Sequence, residues 1–348
     1  MRSVTLLYIA ASVMLGSLVT IFYISLSNNS DLPLPQVVRL EKKSVEKAEI
    51  ANPAATICEF EQKRLSGYKY IKPLLFEELD CESKKFAQVK EQITDYANNE
   101  MKSNTLTGMS VFVKNLNTGE WMYINPEASY HPASLIKVPI LLTYLRLADS
   151  HPEILNYPVN FNKDQTVYPQ VKYQYENIKM GGKYSVKELL SSMIINSDNH
   201  ATVLLENLMD KNSFKKTFSD LGLPELNFSD TAYRMSAKEY SNVLNVIYNA
   251  SFVNQASSEF ADSILTECKF KDGIVRMLPS DVKVAHKFGE WGNGVERELH
   301  DAAIVYTKNG SYIITVMTKG YDWDQLSLII GNVSKMVYDH MSVINAHA

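Results

Sequence analysis

Metal-ligand spacing is missing from this chain: its three cysteines, Cys58, Cys81 and Cys268, and its seven scattered histidines form no cluster of the kind that holds zinc or a redox metal. No cofactor is expected. Two readings of the cysteines stand. Outside the cytoplasm Cys58 and Cys81 can close one disulfide in the N-terminal part, leaving Cys268 as a buried thiol; otherwise all three are small apolar residues. Long runs of Lys or Arg are missing too, and a net charge of −4 leaves no electrostatic footprint for nucleic acid. The absence of internal repeats and low-complexity tracts sets repeat architectures aside.

Charge itself is missing from Val4 to Leu26, a mostly apolar run preceded by Arg2 and followed by Ser27-Asn-Asn-Ser-Asp31. At 1.5 Å per residue it spans roughly 34 Å as a helix, enough for a bilayer. It reads as a single-pass anchor. A cleavable signal peptide is the rival reading, opposed by the length of the run and by the lack of a small-x-small site after it. Arg39, Lys42 and Lys43 on the far side keep the positive-inside count from fixing the orientation. Residues 27 to 55, with Pro33, Pro35, Pro53 and a charged patch from Glu41 to Glu49, read as a linker. Residues 56 to 82 form a small extension, and residues 83 to 348 one larger domain outside the cytoplasm.

Within that domain apolar positions at Phe86, Val89, Ile93 and Tyr96 predict a helix from Ser83 to about Met101. Strands are predicted at Met109–Lys114 and Trp121–Ile124. Ser185/Glu188 and Ser236/Glu239 have the capping-box form and open helices, Ala201–Met209 and Phe214–Leu221 predict two more, and the second ends at Gly222. Strands return at Val282–Phe288, Ala302–Thr307 and Tyr312–Thr318, the last two joined by Lys308-Asn-Gly310, a hairpin signal. A final helix runs from about Asp324 to His340. The fold class is therefore α+β: a five-stranded antiparallel sheet, terminal helices on one face and an all-α lobe on the other.

Chemistry concentrates where the apolar helix after Ser129 begins. Ser134 and Lys137 stand one helical turn apart, so an amine shares a face with a hydroxyl, and the first N–H groups of a helix suit an oxyanion. The pattern Ser-x-x-Lys alone is weak, because it recurs at Ser44/Lys47, Ser66/Lys69, Ser213/Lys216 and Ser280/Lys283. Two further motifs follow in order: Ser197-Asp198-Asn199 between two predicted helices, and Lys287-Phe288-Gly289 at the end of a predicted strand.

The set Ser-x-x-Lys, Ser-Asp-Asn and Lys-x-Gly resembles class A serine β-lactamases and their D,D-peptidase relatives. The resemblance covers about Ser83 to Ala348. It implies Ser134 as nucleophile, Lys137 as its base, Ser197 as a proton relay, Lys287 as a cation in the cleft, and Asn199 as a substrate-binding amide. It also implies Gly289 and Glu290 as substrate-binding residues, with an oxyanion hole from the backbone N–H groups of Ser134 and Glu290. The expected partner is a β-lactam or a peptidoglycan-type peptide, at the membrane through the N-terminal helix.

Two departures from the pattern matter. Phe288 replaces the hydroxyl residue that helps bind the substrate carboxylate, which leaves Lys287 or another cation such as Arg297 for that role. The family's Glu-x-x-Leu-Asn, whose Glu activates the hydrolytic water, has its nearest counterpart in Gly222-Leu-Pro-Glu-Leu-Asn227; with Leu226-Asn227 as its end, Leu223 holds the Glu position and Glu225 is a turn residue. Weak deacylation is expected. A non-hydrolytic penicillin-binding or cell-wall-sensing module on the same fold is the alternative. His131, His286, His300 and Asp301 lie near the motifs, where they can line the cleft, and Tyr168, Tyr173 and Tyr175 fall before the second motif, where they can form a substrate wall; structural packing is the first expectation for all of them.

Overall fold

A sheet covered on both faces needs strands that are apolar on both sides, and three of the four longest strands here are of that kind. The computed structural model describes residues 58–163, 167, 171–225, 233–292, 294–308 and 310–344. A hairpin of β1 (Phe60–Arg64) and β2 (Leu74–Leu79) precedes a 3₁₀ turn and helix α1 (Ala87–Lys102). Strands β3 (Leu106–Asn115) and β4 (Trp121–Ile124) follow, then a 3₁₀ turn at Ala133–Ile136 that runs into α2 (Lys137–Ala148). A short pair, β5 (Pro158–Asn160) and β6 (Lys183–Ser185), leads into α3 (Val186–Ile195), α4 (Asn199–Leu208) and α5 (Lys211–Leu221). Helices α6 (Ala237–Tyr248) and α7 (Gln255–Thr266) complete the lobe before β7 (Lys283–Gly292), β8 (Arg297–Thr307), β9 (Gly310–Gly320) and α8 (Trp323–Ile344).

The sheet is five-stranded and antiparallel in the order β4-β3-β9-β8-β7. One face carries Val111, Val113, Ile314 and Val316 against Val89 and Ile93 of α1 and Ile330, Val333 and Val337 of α8. The other carries Phe112, Ile304, Ile313 and Met317 against α2 to α7. At about 2 kcal/mol for each fully buried branched side chain, these two clusters outweigh any capping interaction in holding the layers together. Both expected capping boxes are formed, at Ser185/Glu188 and Ser236/Glu239, and Gly222 ends α5 with φ +70°.

Several boundaries differ from the sequence reading. Ser134 lies in the 3₁₀ turn before α2 and not in the helix itself. Strand β3 starts three residues earlier than expected because a register shift between Leu106 and Gly108 extends its pairing with β9. Helix α4 begins at Asn199 because Asp198 caps it. Cys58 and Cys81 are joined in a disulfide with Cα atoms 5.6 Å apart, and Cys268 is a buried free thiol. The expected anchor at 4–26 and the linker at 27–55 lie outside the described residues, as do Tyr168, Leu226 and Asn227. Among the described residues no helix is long and apolar enough to cross a membrane.

Candidate active site

The site is built where the turn before α2, the junction between α3 and α4, and the far end of β7 meet. Ala133, just ahead of Ser134, has φ +50°, and Ser197 has φ +53°. Left-handed backbone at residues other than glycine costs of order 1–3 kcal/mol and persists only where the surroundings enforce it. Both strained positions therefore direct attention to the hydroxyls beside or on them.

Two amines converge on one of those hydroxyls. The side chain of Lys137 is buried, and its Nζ donates to Ser197 O (2.6 Å), Ser197 Oγ (3.1 Å) and Asn199 Oδ1 (2.7 Å). Lys287, fully buried on β7, donates from Nζ to the same Ser197 Oγ (2.9 Å) and to Phe288 O (3.1 Å). Burial first, and then the neighbouring Lys287 ammonium, push the Lys137 pKa well below the ordinary lysine value. Burial also lowers Lys287, to about 8. A lysine that sheds its proton this easily can act as a base at neutral pH. Ser134 sits three residues ahead of Lys137 in the 3₁₀ turn and is half-buried.

Asp198 locks this junction. Its Oδ1 accepts from the N–H groups of His200 (2.8 Å) and Ala201 (3.1 Å), capping α4, while Oδ2 accepts from Ile178 N (2.7 Å) and Ser192 Oγ (2.9 Å). Asp198 is thus the helix cap of the motif, while the residues on either side of it bond the Lys137 amine. On β7, a Cβ placed on Gly289 would lie 2.6 Å from Pro132 O, so only glycine lets the strand approach the Ser134 turn this closely. Glu290 follows, and its carboxylate accepts from the N–H groups of Val171, Lys172 and Tyr173 at 3.0 to 3.2 Å, tying the loop before α3 to the strand end. This clamp was not foreseen from the motifs.

Behind the turn lies a charged network that the sequence flagged only through its histidines. Glu298 is fully buried on β8; its carboxylate accepts from His131 N (2.7 Å) and Arg234 Nη1 (3.0 Å) and lies 3.5 Å from His300 Nε2. His131 Nδ1 in turn accepts from Ala133 N (3.1 Å), and its ring stacks on Trp291 at 5.3 Å. The strained residue ahead of Ser134 is therefore hung from Glu298 through one imidazole. Burial alone would raise the Glu298 pKa, but His300, Arg234 and the His131 N–H outweigh it and hold it at about 2. Between that value and the ordinary 4.5 the unfolded chain binds the extra proton, so stability falls as pH drops through this window. Glu298→Gln is expected to cost on the order of 3 kcal/mol at pH 7. In urea titrations the gap between variant and parent should close by pH 2; a constant gap would show that charge is not what the network supplies.

The remaining flagged residues serve packing. His286 pairs with Asp301 at 3.0 Å, both fully buried, and Asp301 also accepts from Ile274 N. Phe288 is buried on the terminal-helix face, stacked on Phe270 at 4.3 Å with Tyr173 and Tyr175 edge-on at 5.9 and 6.1 Å, while its neighbour Lys287 faces the α lobe. Arg297 opens β8 opposite Gly292, three residues past Gly289, and lies over the Trp323 ring at 5.7 Å. It does not join the two lysines. Leu223 is buried in the α-lobe core just after Gly222, and Glu225 is exposed.

Comparison with known proteins agrees with this architecture. A family model described as the β-lactamase enzyme family matches residues 88–341. Among solved structures, PBP-A superposes with a TM-score of 0.65 at 22% identity over 76% of this chain and 99% of its own. A class A β-lactamase from Bacteroides cellulosilyticus gives 0.63 at 22% identity over 73% and 99%, and a β-lactamase from Chitinophaga pinensis 0.63 at 20% over 72% and 98%. A leucine-to-glutamate variant of PBP-A, described as an acyl-enzyme complex with penicillin G, superposes at 0.62 with 22% identity over 74% and 97%. No curated protein matches the sequence.

Proposed function

Because the chain belongs to the β-lactamase enzyme family, we propose that it is a serine acyl-hydrolase acting on β-lactams or related D-alanyl cell-wall peptides, with acylation faster than deacylation. The observation that carries this reading is the meeting of two buried lysine amines on Ser197 Oγ, one of them on Lys137, three residues after Ser134. Ser134 Oγ attacks the acyl carbon and passes its proton to neutral Lys137; the C–N bond breaks, and Ser197 relays a proton to the leaving nitrogen. The backbone N–H groups of Ser134 and Glu290 stabilise the oxyanion, Asn199 orients the substrate amide, and Lys287 draws the substrate carboxylate. The apolar run from Val4 to Leu26 and the Cys58–Cys81 disulfide support a membrane-anchored domain in an oxidising compartment outside the cytoplasm.

Leu223 carries the second half of the proposal. An apolar side chain stands where the family pattern puts a general base, so activation of the water that cleaves the ester falls to Lys137. A sensing module, in which the ester is the end state, is the second reading and rests on the same leucine together with the buried Phe288.

The test is intact-mass spectrometry of the purified protein after addition of a penicillin. The adduct should equal the whole drug, because the ring nitrogen stays attached, and it should persist. Its rate of formation should rise with pH as the lysine pair loses its first proton and fall above about pH 8 as Lys287 loses its own. Rapid clearance with hydrolysed drug accumulating would refute the slow-deacylation half; no adduct with any β-lactam or D-alanyl peptide would refute the whole.

A further inference from the structure

The hairpin of β1 and β2 lies outside the part of the chain matched by the family model, and the acyl-transfer chemistry makes no use of it. Its construction is rigid. The disulfide closes its base, Leu65 N bonds to Pro73 O at 2.9 Å across its neck, and Arg64 Nη1 bonds to Lys72 O at 2.7 Å. What this frame presents is apolar: Tyr68 is 49%, Tyr70 85% and Ile71 58% exposed. Charge along the hairpin is segregated. From Gln62 to Pro73 there are four cations, Lys63, Arg64, Lys69 and Lys72, and no carboxylate, whereas Glu59, Glu61, Glu77, Glu78 and Asp80 sit at the base. Lys69 lies over the Tyr70 ring at 4.9 Å.

Tyrosine, an exposed aliphatic and lysines whose stems can run along apolar surface form the residue set that settles at the level of lipid headgroups. An acidic base and a basic tip orient such an element end-on toward an anionic surface. The chain enters the described unit at Cys58, at the foot of this hairpin, and the residues between Leu26 and Cys58 can reach no more than about 110 Å at full extension. From these observations we infer that the tip at Tyr68–Lys72 docks on the anionic lipid surface of the membrane in which residues 4–26 sit. The inference rests on the membrane-segment reading for delivery to that surface, and not on the hydrolase reading.

The docking has a geometric consequence for the site. Lys114 Nζ bonds to Glu77 O (2.9 Å) and Trp121 Nε1 to Leu79 O (2.7 Å), so the hairpin packs at the β3–β4 side of the sheet. The motif strand β7 is the opposite edge, four strand spacings or about 19 Å away. A tip held on lipid keeps the cleft edge off the bilayer.

The experiment uses the full chain reconstituted into vesicles of phosphatidylcholine alone or with phosphatidylglycerol, each containing brominated lipid. Tyr70→Trp adds one exposed indole, and the parent supplies the background of its three native tryptophans. Strong bromine quenching of the added indole is expected on anionic vesicles and weak quenching on neutral ones. Lys69→Gln with Lys72→Gln should lower the contact on anionic vesicles by roughly thirtyfold, since each cation near such a surface contributes about a fivefold preference. Tyr70→Ser with Ile71→Ser should leave penicillin acylation unchanged, because neither residue belongs to the cleft. Vesicles that float with the chain but leave the added indole unquenched would overturn the docking while sparing the anchor. Quenching indifferent to lipid charge and to the lysines would also overturn it. A chain that does not float would overturn both the docking and the anchor, with Ser134-dependent acylation still deciding the hydrolase reading separately.

Discussion

Ser134→Ala yields no penicillin adduct in the intact-mass experiment, at any time or pH, while the folded state survives. The hydroxyl is the one atom that forms the covalent bond in the proposed reaction, so its removal is not a graded loss. The substitution is mild for the fold, because Ser134 is only half-buried in a 3₁₀ turn whose anchors are backbone groups and the Glu298–His131 network. Circular dichroism and the melting temperature should match the parent. An undiminished adduct would move the nucleophile elsewhere, and the four other Ser-x-x-Lys pairs would have to be tested in turn.

Lys137→Met separates chemistry from stability. Acylation should slow by about a hundredfold to ten-thousandfold, the range that a positioned general base supplies. Stability at pH 7 should hold or rise. Lys137 is buried beside a second lysine, and its pKa lies below that of the unfolded chain, where a lysine is near 10.5. The unfolded state thus binds more protons over this window, so the parent gains stability as pH rises toward 10.5 and is penalised below it. Methionine keeps the volume and removes the penalty, at the cost of the donors to Ser197 and Asn199. Because Ser197 Oγ keeps its bond from Lys287 and Asn199 is partly exposed to solvent, the balance should favour methionine. A melting temperature several degrees lower, with acylation intact, would invert both halves of the argument.

The contrast with the sequence reading follows burial. Strands β3, β4, β8 and β9 were legible because their apolar runs are buried on both faces and bounded by turn residues such as Asn115–Gly119 and the Asn-Gly pair before β9. The hairpin β1–β2 was not, because every residue of β1 is exposed: it is held by its ladder to β2, a disulfide and backbone bonds, none of which leaves a hydrophobic period. Helix α7 was missed for a related reason, since Gln-Ala-Ser-Ser-Glu opens it with little apolar content and its start depends on the Asn254 cap. At the site the motif residues were legible by type and order, and Ser197, Lys137, Asn199 and Lys287 do come together. The positive φ at Ala133 and Ser197 was not, because neither is a glycine or an asparagine, the residues that take up left-handed backbone most readily. Nor was the Glu298 anchor, whose partners come from positions 131, 234 and 300 and meet only after the sheet forms.

The disulfide at the hairpin's foot also settles how tension travels. If the preceding segment is pulled, load enters at Cys58, where an unstapled β1 would peel from β2 one ladder bond at a time. The Cys58–Cys81 bond short-circuits that route: force passes covalently to Cys81 and on through Ser83, whose N–H is held by Trp121 O, into the sheet. The two strands then lie beside the load path and not in it, so a domain pulled from this end keeps its hairpin zipped. Reduction of this one bond would convert the strut into a ripcord.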